Sequence, residues 1–397
     1  MKHAVLMAAL LMATAGYSQI AIDCAYPGGN VEVLGIDEAK GEVRVSPDYG
    51  ESTDWFWFNF RVKGAEGRRI RFVFPRQENV LGALGPCVSA DDGRSWRFLN
   101  ERGHPETNAF TYEFAADAKA VRFAHGMPYV EAQWREFTDR FRGNPRAKFG
   151  SLCKSRLGKR DVDLLTIEPD ADAKPEWTFF FTARHHCSEA SASPVVEGLV
   201  AAAFADDETG RWIRRHARVY VVPFMDKDGV ENGDQGKNRR PWDYNRDYLK
   251  ERYPEVRAFK KLMVEKSVGT KIFFIDNHSP WIRGNEHEWY FSLGPIDKPE
   301  QDRHWQAYRK ALAVATKGGP LEYQPKWDIP GGIGYNVPKN LGGTDYPSST
   351  RWCVDVPNMY CGFCMEYGYA RCGGVFSREK AQTLGRQVMK AIVDSIR

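Results

Sequence analysis

The stretch Thr182-Ala183-Arg184-His185-His186-Cys187-Ser188-Glu189 constrains this chain more than any other. It follows the apolar run 177–181, which predicts a buried strand, and precedes 190–205, which predicts a helix. A His and a Glu three residues apart at a strand end can place two ligands on one metal ion. Zinc takes imidazole nitrogen and carboxylate oxygen, and a hydrolytic zinc site uses three protein ligands. The third is therefore expected from another strand end. His278, after the apolar run 272–275, meets that demand. The His-x-x-Glu spacing selects His186 with Glu189 and leaves His185 as a packing or supporting residue.

The rest of the chain divides by pattern. Residues 22–125 hold short aromatic and β-branched runs broken by Gly, Asp and Asn. Trp55-Phe56-Trp57-Phe58-Asn59-Phe60 leads through Lys63-Gly64-Ala65-Glu66-Gly67 into the period-two alternation 69–74, a hairpin signature. Regular short strands of this kind predict a β-sandwich. From about residue 129 the pattern changes. Strands are expected at 162–167, 177–181, 218–224, 271–275 and 361–367, and helices at 190–205, 254–267, 302–316 and 378–396. Such alternation predicts an α/β fold, a central sheet covered by helices on both faces, preceded by a small β-sandwich domain. The expected organisation is a signal peptide at 1–19, the β-sandwich at 20–128 and a catalytic domain at 129–397. His186, Asn245 and His278 all fall just past strands, where α/β sheets form their sites. Residues 318–350, rich in Gly and Pro, predict a long functional loop.

Further motifs join the metal pattern. Asp228-Gly229-Val230 is followed by Asn245-Arg246, and a late strand carries Phe363-Cys364-Met365-Glu366. This ordered set resembles the M14-type zinc carboxypeptidases, most closely the cytosolic-carboxypeptidase-like branch, over residues 45–397. The resemblance implies one zinc ion on His186, Glu189 and His278, with Glu366 as the general base that activates water. It implies an oxyanion-stabilising cation at Arg239, with Arg240 as competitor. It also implies that Asn245 and Arg246 hold the free C-terminal carboxylate of a peptide substrate. A loop tyrosine closing over that substrate is assigned to Tyr346, with Tyr335 and Tyr360 competing. Arg351 is a further candidate, for reading an acidic side chain on the departing residue. The chain departs from the family pattern at Asp226-Lys227-Asp228-Gly229 and at Asn277-His278-Ser279-Pro280.

Bulk properties narrow the function further. A net charge of +4 over 397 residues, with no basic tract, gives no reason to expect a nucleic-acid partner. Met1-Lys2-His3, then the apolar 4–15 and small residues behind it, predict a secretory signal peptide, too short to span a bilayer. Export, to a periplasm or outside the cell, is therefore expected, without stable membrane insertion. An exported chain with eight Cys permits disulfides. Cys361 and Cys364 point to opposite faces of one strand, which predicts a disulfide or buried thiols there rather than a shared metal. The reading is a zinc metallocarboxypeptidase acting on a C-terminal peptide or isopeptide bond. Its rivals are a zinc deacylase of amino-acid conjugates and a catalytically inactive peptide- or glycan-binding module. Oligomeric state is left open.

Overall fold

The computed structural model describes residues 19–100, 102–282, 289–340 and 345–397. The expected signal segment falls almost wholly outside them. Among the described residues no helix is long and apolar enough to cross a membrane.

The N-terminal region forms two sheets. One has five strands in the order Ala21–Asp23, Asn59–Lys63, Val121–Ala124, Cys87–Ser89 and Arg97–Phe98. The other has four, Glu32–Asp37, Glu42–Ser46, Arg69–Val73 and Ala109–Glu113. Inward residues at alternate positions build a core rich in phenylalanine, including Phe58, Phe60, Phe72, Phe74, Phe110 and Phe123. Phe72 and Phe110 stack at 4.9 Å between centroids, the offset arrangement aromatic rings favour.

The larger region is built on a seven-stranded mixed sheet. Its order is Ala147–Lys154, Asp161–Ile167, Ala217–Val222, Trp177–Ala183, Lys271–His278, Met359–Glu366 and Phe291–Leu293. The central four strands run parallel and the flanking ones antiparallel. Both faces of the central strands are covered, so those strands read as continuous apolar runs. Phe179 and Phe181 pack toward the helices Ala192–Phe204, Pro299–Thr316 and Arg378–Ile396. Phe180 between them packs on Phe259 and Met263 of the helix Pro254–Lys266. Ala147–Lys154, Glu208–His216 and Phe291–Leu293 are elements the sequence pattern did not single out.

Two helices approach unusually closely behind the site. A Cβ at Gly198 would lie 2.1 Å from the Gln382 carbonyl oxygen, and one at Gly385 would lie 2.0 Å from that of Val195. Backbone cannot yield as a flexible side chain does. We therefore expect Gly198→Ala to cost about 1–3 kcal/mol, read as a lower denaturant midpoint.

Glu255, in the first turn of Pro254–Lys266, is fully buried. Its Oε1 accepts from the Arg156 amide at 2.7 Å, while Oε2 has no partner among the described residues. Burial pushes this carboxyl up to about 7, from 4.5. Between those values the folded chain keeps a proton that the unfolded chain has released. Stability from this group is thus complete below pH 4.5 and is lost as pH rises through about 7. The loss is on the order of 3 kcal/mol, and urea titrations at pH 5 and 8 should show it shrinking in Glu255→Gln.

Candidate active site

The strands Trp177–Ala183, Lys271–His278 and Met359–Glu366 end at one level, and the candidate site lies beyond their C-terminal ends. In the register of the last two, His278 stands opposite Glu366 and Asp276 opposite Cys364. Past Ala183 the chain turns sharply at Arg184, which takes the left-handed φ of 62°. Its buried guanidinium donates to the Cys187 and Tyr129 carbonyls and to the Ser193 hydroxyl. Those bonds offset the strain of a non-glycine residue in this conformation and fix the turn that carries His186 and Glu189.

His186, Glu189 and His278 converge. Glu189 Oε1 lies 2.7 Å from His186 Nδ1, and its Oε2 lies 2.7 Å from His278 Nδ1. The donor atoms of this buried group lie within 4.8 Å of one another. Zinc bonds of about 2.0–2.2 Å in a tetrahedral array need donors roughly 3–3.5 Å apart. The contacts to Glu189 need open by only a few tenths of an ångström to admit an ion. The far nitrogens fit as well. His186 Nε2 is 3.2 Å from Asp243 Oδ1, and His278 Nε2 is 2.9 Å from Asp276 Oδ2. With an ion on the trio, each Nδ1 would turn its lone pair to the metal and each Nε2 would donate to its aspartate, the arrangement metal-bound histidines use. Burial opposes charge on Glu189, yet the two histidines hold it down at about 2. Nitrogen, oxygen and nitrogen donors, each oriented by a neighbour, fit zinc.

His185 is not a member of that trio. Its Nδ1 pairs with Asp276 Oδ1 at 2.9 Å and its Nε2 with the Tyr248 hydroxyl at 2.7 Å. Glu366 faces the same cleft, a cavity of about 440 Å³ that also exposes His186, Glu189 and His278. Burial pushes the Glu366 carboxyl up to about 7, with His278 opposing and Glu189 adding to the rise. Cys364 Sγ approaches its Oε1 at 3.6 Å, and Oε2 is buried with no partner among the described residues. Both Cys364 and Glu366 line the cleft, as the two-residue spacing on a strand requires.

The substrate-side residues divide. Asn245 and Arg246 line the cleft on the short helix Tyr244–Arg246. The Asn245 amide nitrogen is 3.0 Å from His278 Nε2, and its oxygen accepts from the Ser349 amide at 2.8 Å. Arg246 donates to the carbonyls of Asn245 and Asn340. Arg239 does not line the cleft. It is buried and ion-paired to Asp226, to Asp234 at 3.2 Å and to Glu51 at 2.7 Å. Three carboxylates engage both of its terminal nitrogens, and the cation exposed at this edge of the cleft is Lys237. Tyr346 likewise stacks on Trp242 at 4.8 Å, away from the lining, whereas Tyr335 lines the cleft. Arg351 points to the Ile296 carbonyl, 3.4 Å away. All eight cysteines are free thiols, so of the two expectations for 361–364, a disulfide or buried thiols, the second holds.

Neither Asp243 nor Asp276 was picked out from the sequence. Asp276 lies two residues before His278, a spacing with no signal until the strand register is known. Replacing it should loosen the ion without removing a ligand. We expect Asp276→Asn to weaken zinc binding about 10–100-fold, measured by competition with a chromogenic chelator.

Comparison with known proteins agrees with this geometry. Residues 142–272 match the zinc carboxypeptidase family, and residues 22–125 match the cytosolic carboxypeptidase N-terminal domain. An uncharacterised protein of Zymomonas mobilis is 26% identical over 325 residues, which cover 78% of this chain and 80% of that one. Cytosolic carboxypeptidase 6 of Caenorhabditis elegans is 23% identical over 66% of this chain. The match spans 63% of that relative, less than two thirds of its length. The crystal structure of a metallo-carboxypeptidase from Burkholderia cenocepacia superposes with a TM-score of 0.76 at 20% identity, covering 96% of this chain and 99% of that one, which establishes the shared fold. Two adjoining family matches, on a fold that gathers His, Glu and His at one cleft, show that the chain belongs to the M14 zinc carboxypeptidases, in the branch that carries the cytosolic carboxypeptidase N-terminal domain.

Proposed function

We propose that this protein is an exported zinc carboxypeptidase that hydrolyses the last peptide or isopeptide bond of a peptide bearing a free C-terminal carboxylate. The observation that carries the reading is the His186–Glu189–His278 trio facing the partnerless Oε2 of Glu366 in a single cleft. Zinc on the trio would supply a Lewis acid and make water nucleophilic near neutral pH.

The side chains do the rest. Glu366 takes one proton from the attacking water as its oxygen bonds to the carbonyl carbon. It returns that proton to the departing amine nitrogen as the C–N bond breaks. The products are a free amino acid and a peptide shortened by one residue. Arg246 pairs with the substrate's terminal carboxylate through its planar fork. Asn245 backs it from beside the His278 ring, its amide nitrogen 3.0 Å from Nε2. Leu293 and Cys364 offer the departing side chain an uncharged surface.

The test uses a peptide set with free and amidated C-termini. Free amino acid should appear only from the free-carboxylate peptides, cease with a chelator and return with zinc. Equal cleavage of the amidated peptides would remove the role given to Arg246. Glu366→Gln should keep its zinc and lose kcat by about 10²–10⁴-fold. Arg246→Met should raise KM at least tenfold while leaving zinc content unchanged.

A further inference from the structure

We infer that Lys237 supplies the positive charge facing the reacting carbonyl oxygen, a role that Arg239 cannot fill. The inference rests on the carboxypeptidase reading and adds a catalytic residue to it.

Three observations carry it. The first is that Arg239 is spent. Its guanidinium is ion-paired with Asp226, Asp234 and Glu51, and all of its side chain is buried behind the cleft wall. Drawing it into the cleft would leave Asp226, itself fully buried, without its cation. An uncompensated buried charge of that kind costs several kcal/mol, on the order of 3–5.

The second is steric. Gly236 takes φ 79° directly against the metal-binding turn, and a Cβ there would lie 2.4 Å from the Cys187 amide nitrogen. No side chain can project from position 236. The next residue, Lys237, emerges at the cleft wall with His186, Glu189 and Glu366.

The third is that Lys237 is free to act. It is half-buried, and among the described residues it forms no ion pair. An ammonium on a flexible four-carbon stem can follow the carbonyl oxygen as negative charge builds on it. A cation fixed where charge develops stabilises the transition state more than the ground state.

The chemistry requires no further reactant. As water adds to the carbonyl carbon, the C=O π electrons move onto oxygen. Lys237 pairs with that oxyanion until the C–N bond breaks and the carbonyl reforms.

The experiment compares wild type, Lys237→Met and Lys237→Arg on a peptide the wild type cleaves. Zinc content, melting temperature and affinity for a phosphinic dipeptide, an anionic tetrahedral mimic, are measured alongside. Lys237→Met should lose about 10²–10³-fold in kcat with KM, zinc and melting temperature unchanged. Its affinity for the phosphinic mimic should fall by a similar factor, and its affinity for the free product amino acid should not change. Lys237→Arg should recover at least a tenth of wild-type kcat. A Lys237→Met enzyme within threefold of wild-type kcat, or with undiminished phosphinic affinity, would overturn the assignment while leaving the carboxypeptidase reading intact. No cleavage of any peptide by the zinc-loaded wild type would defeat that reading and this one with it.

Discussion

Four side chains close on the Asp276 carboxylate, which is buried completely. Oδ1 accepts from the Thr182 hydroxyl at 2.7 Å and pairs with His185 Nδ1 at 2.9 Å. Oδ2 meets His278 Nε2 at 2.9 Å and the Ser349 hydroxyl. A lone carboxylate at this depth would be prohibitive, and only this full set of partners lets it stay ionised. Its acidity follows. Burial works against the charge, yet His185 and His278 hold the group well below the usual carboxylate range. Because Thr182, Asp276 and Ser349 sit on three different elements, one carboxylate fixes the His278 ring and ties the adjacent strand and the short helix Ser349–Cys353 to it.

The amino-acid pattern conveyed the parallel strands well, because strands covered on both faces are apolar throughout and end abruptly at polar motif residues. The longer helices were equally legible from spacing, and Arg378–Ile396 agrees with the expected range, whereas the short Glu208–His216 was not. The antiparallel edges were not. Ala147–Lys154 is mostly exposed and carries only a weak alternation, and Phe291–Leu293 has only three residues. Within the site, the trio and Glu366 were readable since each lies at a strand end or beside one. The side chains that orient them were not, because Asp276 and Asp243 gain their partners only through register and loop packing. Arg239 and Lys237 show the same limit sharply. Both are cations on one loop, and only the folded position of Asp226, Asp234 and Glu51 separates the structural one from the free one.

Glu51 also explains why the N-terminal region bears on a cleft built by the larger sheet. It reaches over to Arg239 and pairs with Arg156 at 2.8 Å. Gln235 completes the seam, accepting from the Trp57 amide at 2.7 Å and donating to the Trp57 carbonyl at 2.8 Å. Between these anchors Trp55 is held at φ 117°, a conformation that costs a non-glycine residue energy. Its ring meets Trp281 edge to face at 4.9 Å, and both line the cleft. The N-terminal region therefore shapes one wall of the site as well as stabilising the loop behind it.

That seam has a consequence for the charge at the cleft. Asp234, pushed up to about 6 by burial with Asp226 adding to the rise, stays ionised only with a cation close by. Arg239 meets that need with a planar fork that one ammonium could not match, since it serves three carboxylates at once. The guanidinium is therefore committed to the seam, and the flexible ammonium of Lys237 is left to the cleft. A point charge on a mobile stem suits a wall where the substrate oxygen shifts as its carbon becomes tetrahedral. A rigid fork suits the fixed, two-oxygen terminal carboxylate that we propose Arg246 binds in the same cleft. The division of labour between lysine and arginine thus follows from which anions are stationary and which appear only during reaction.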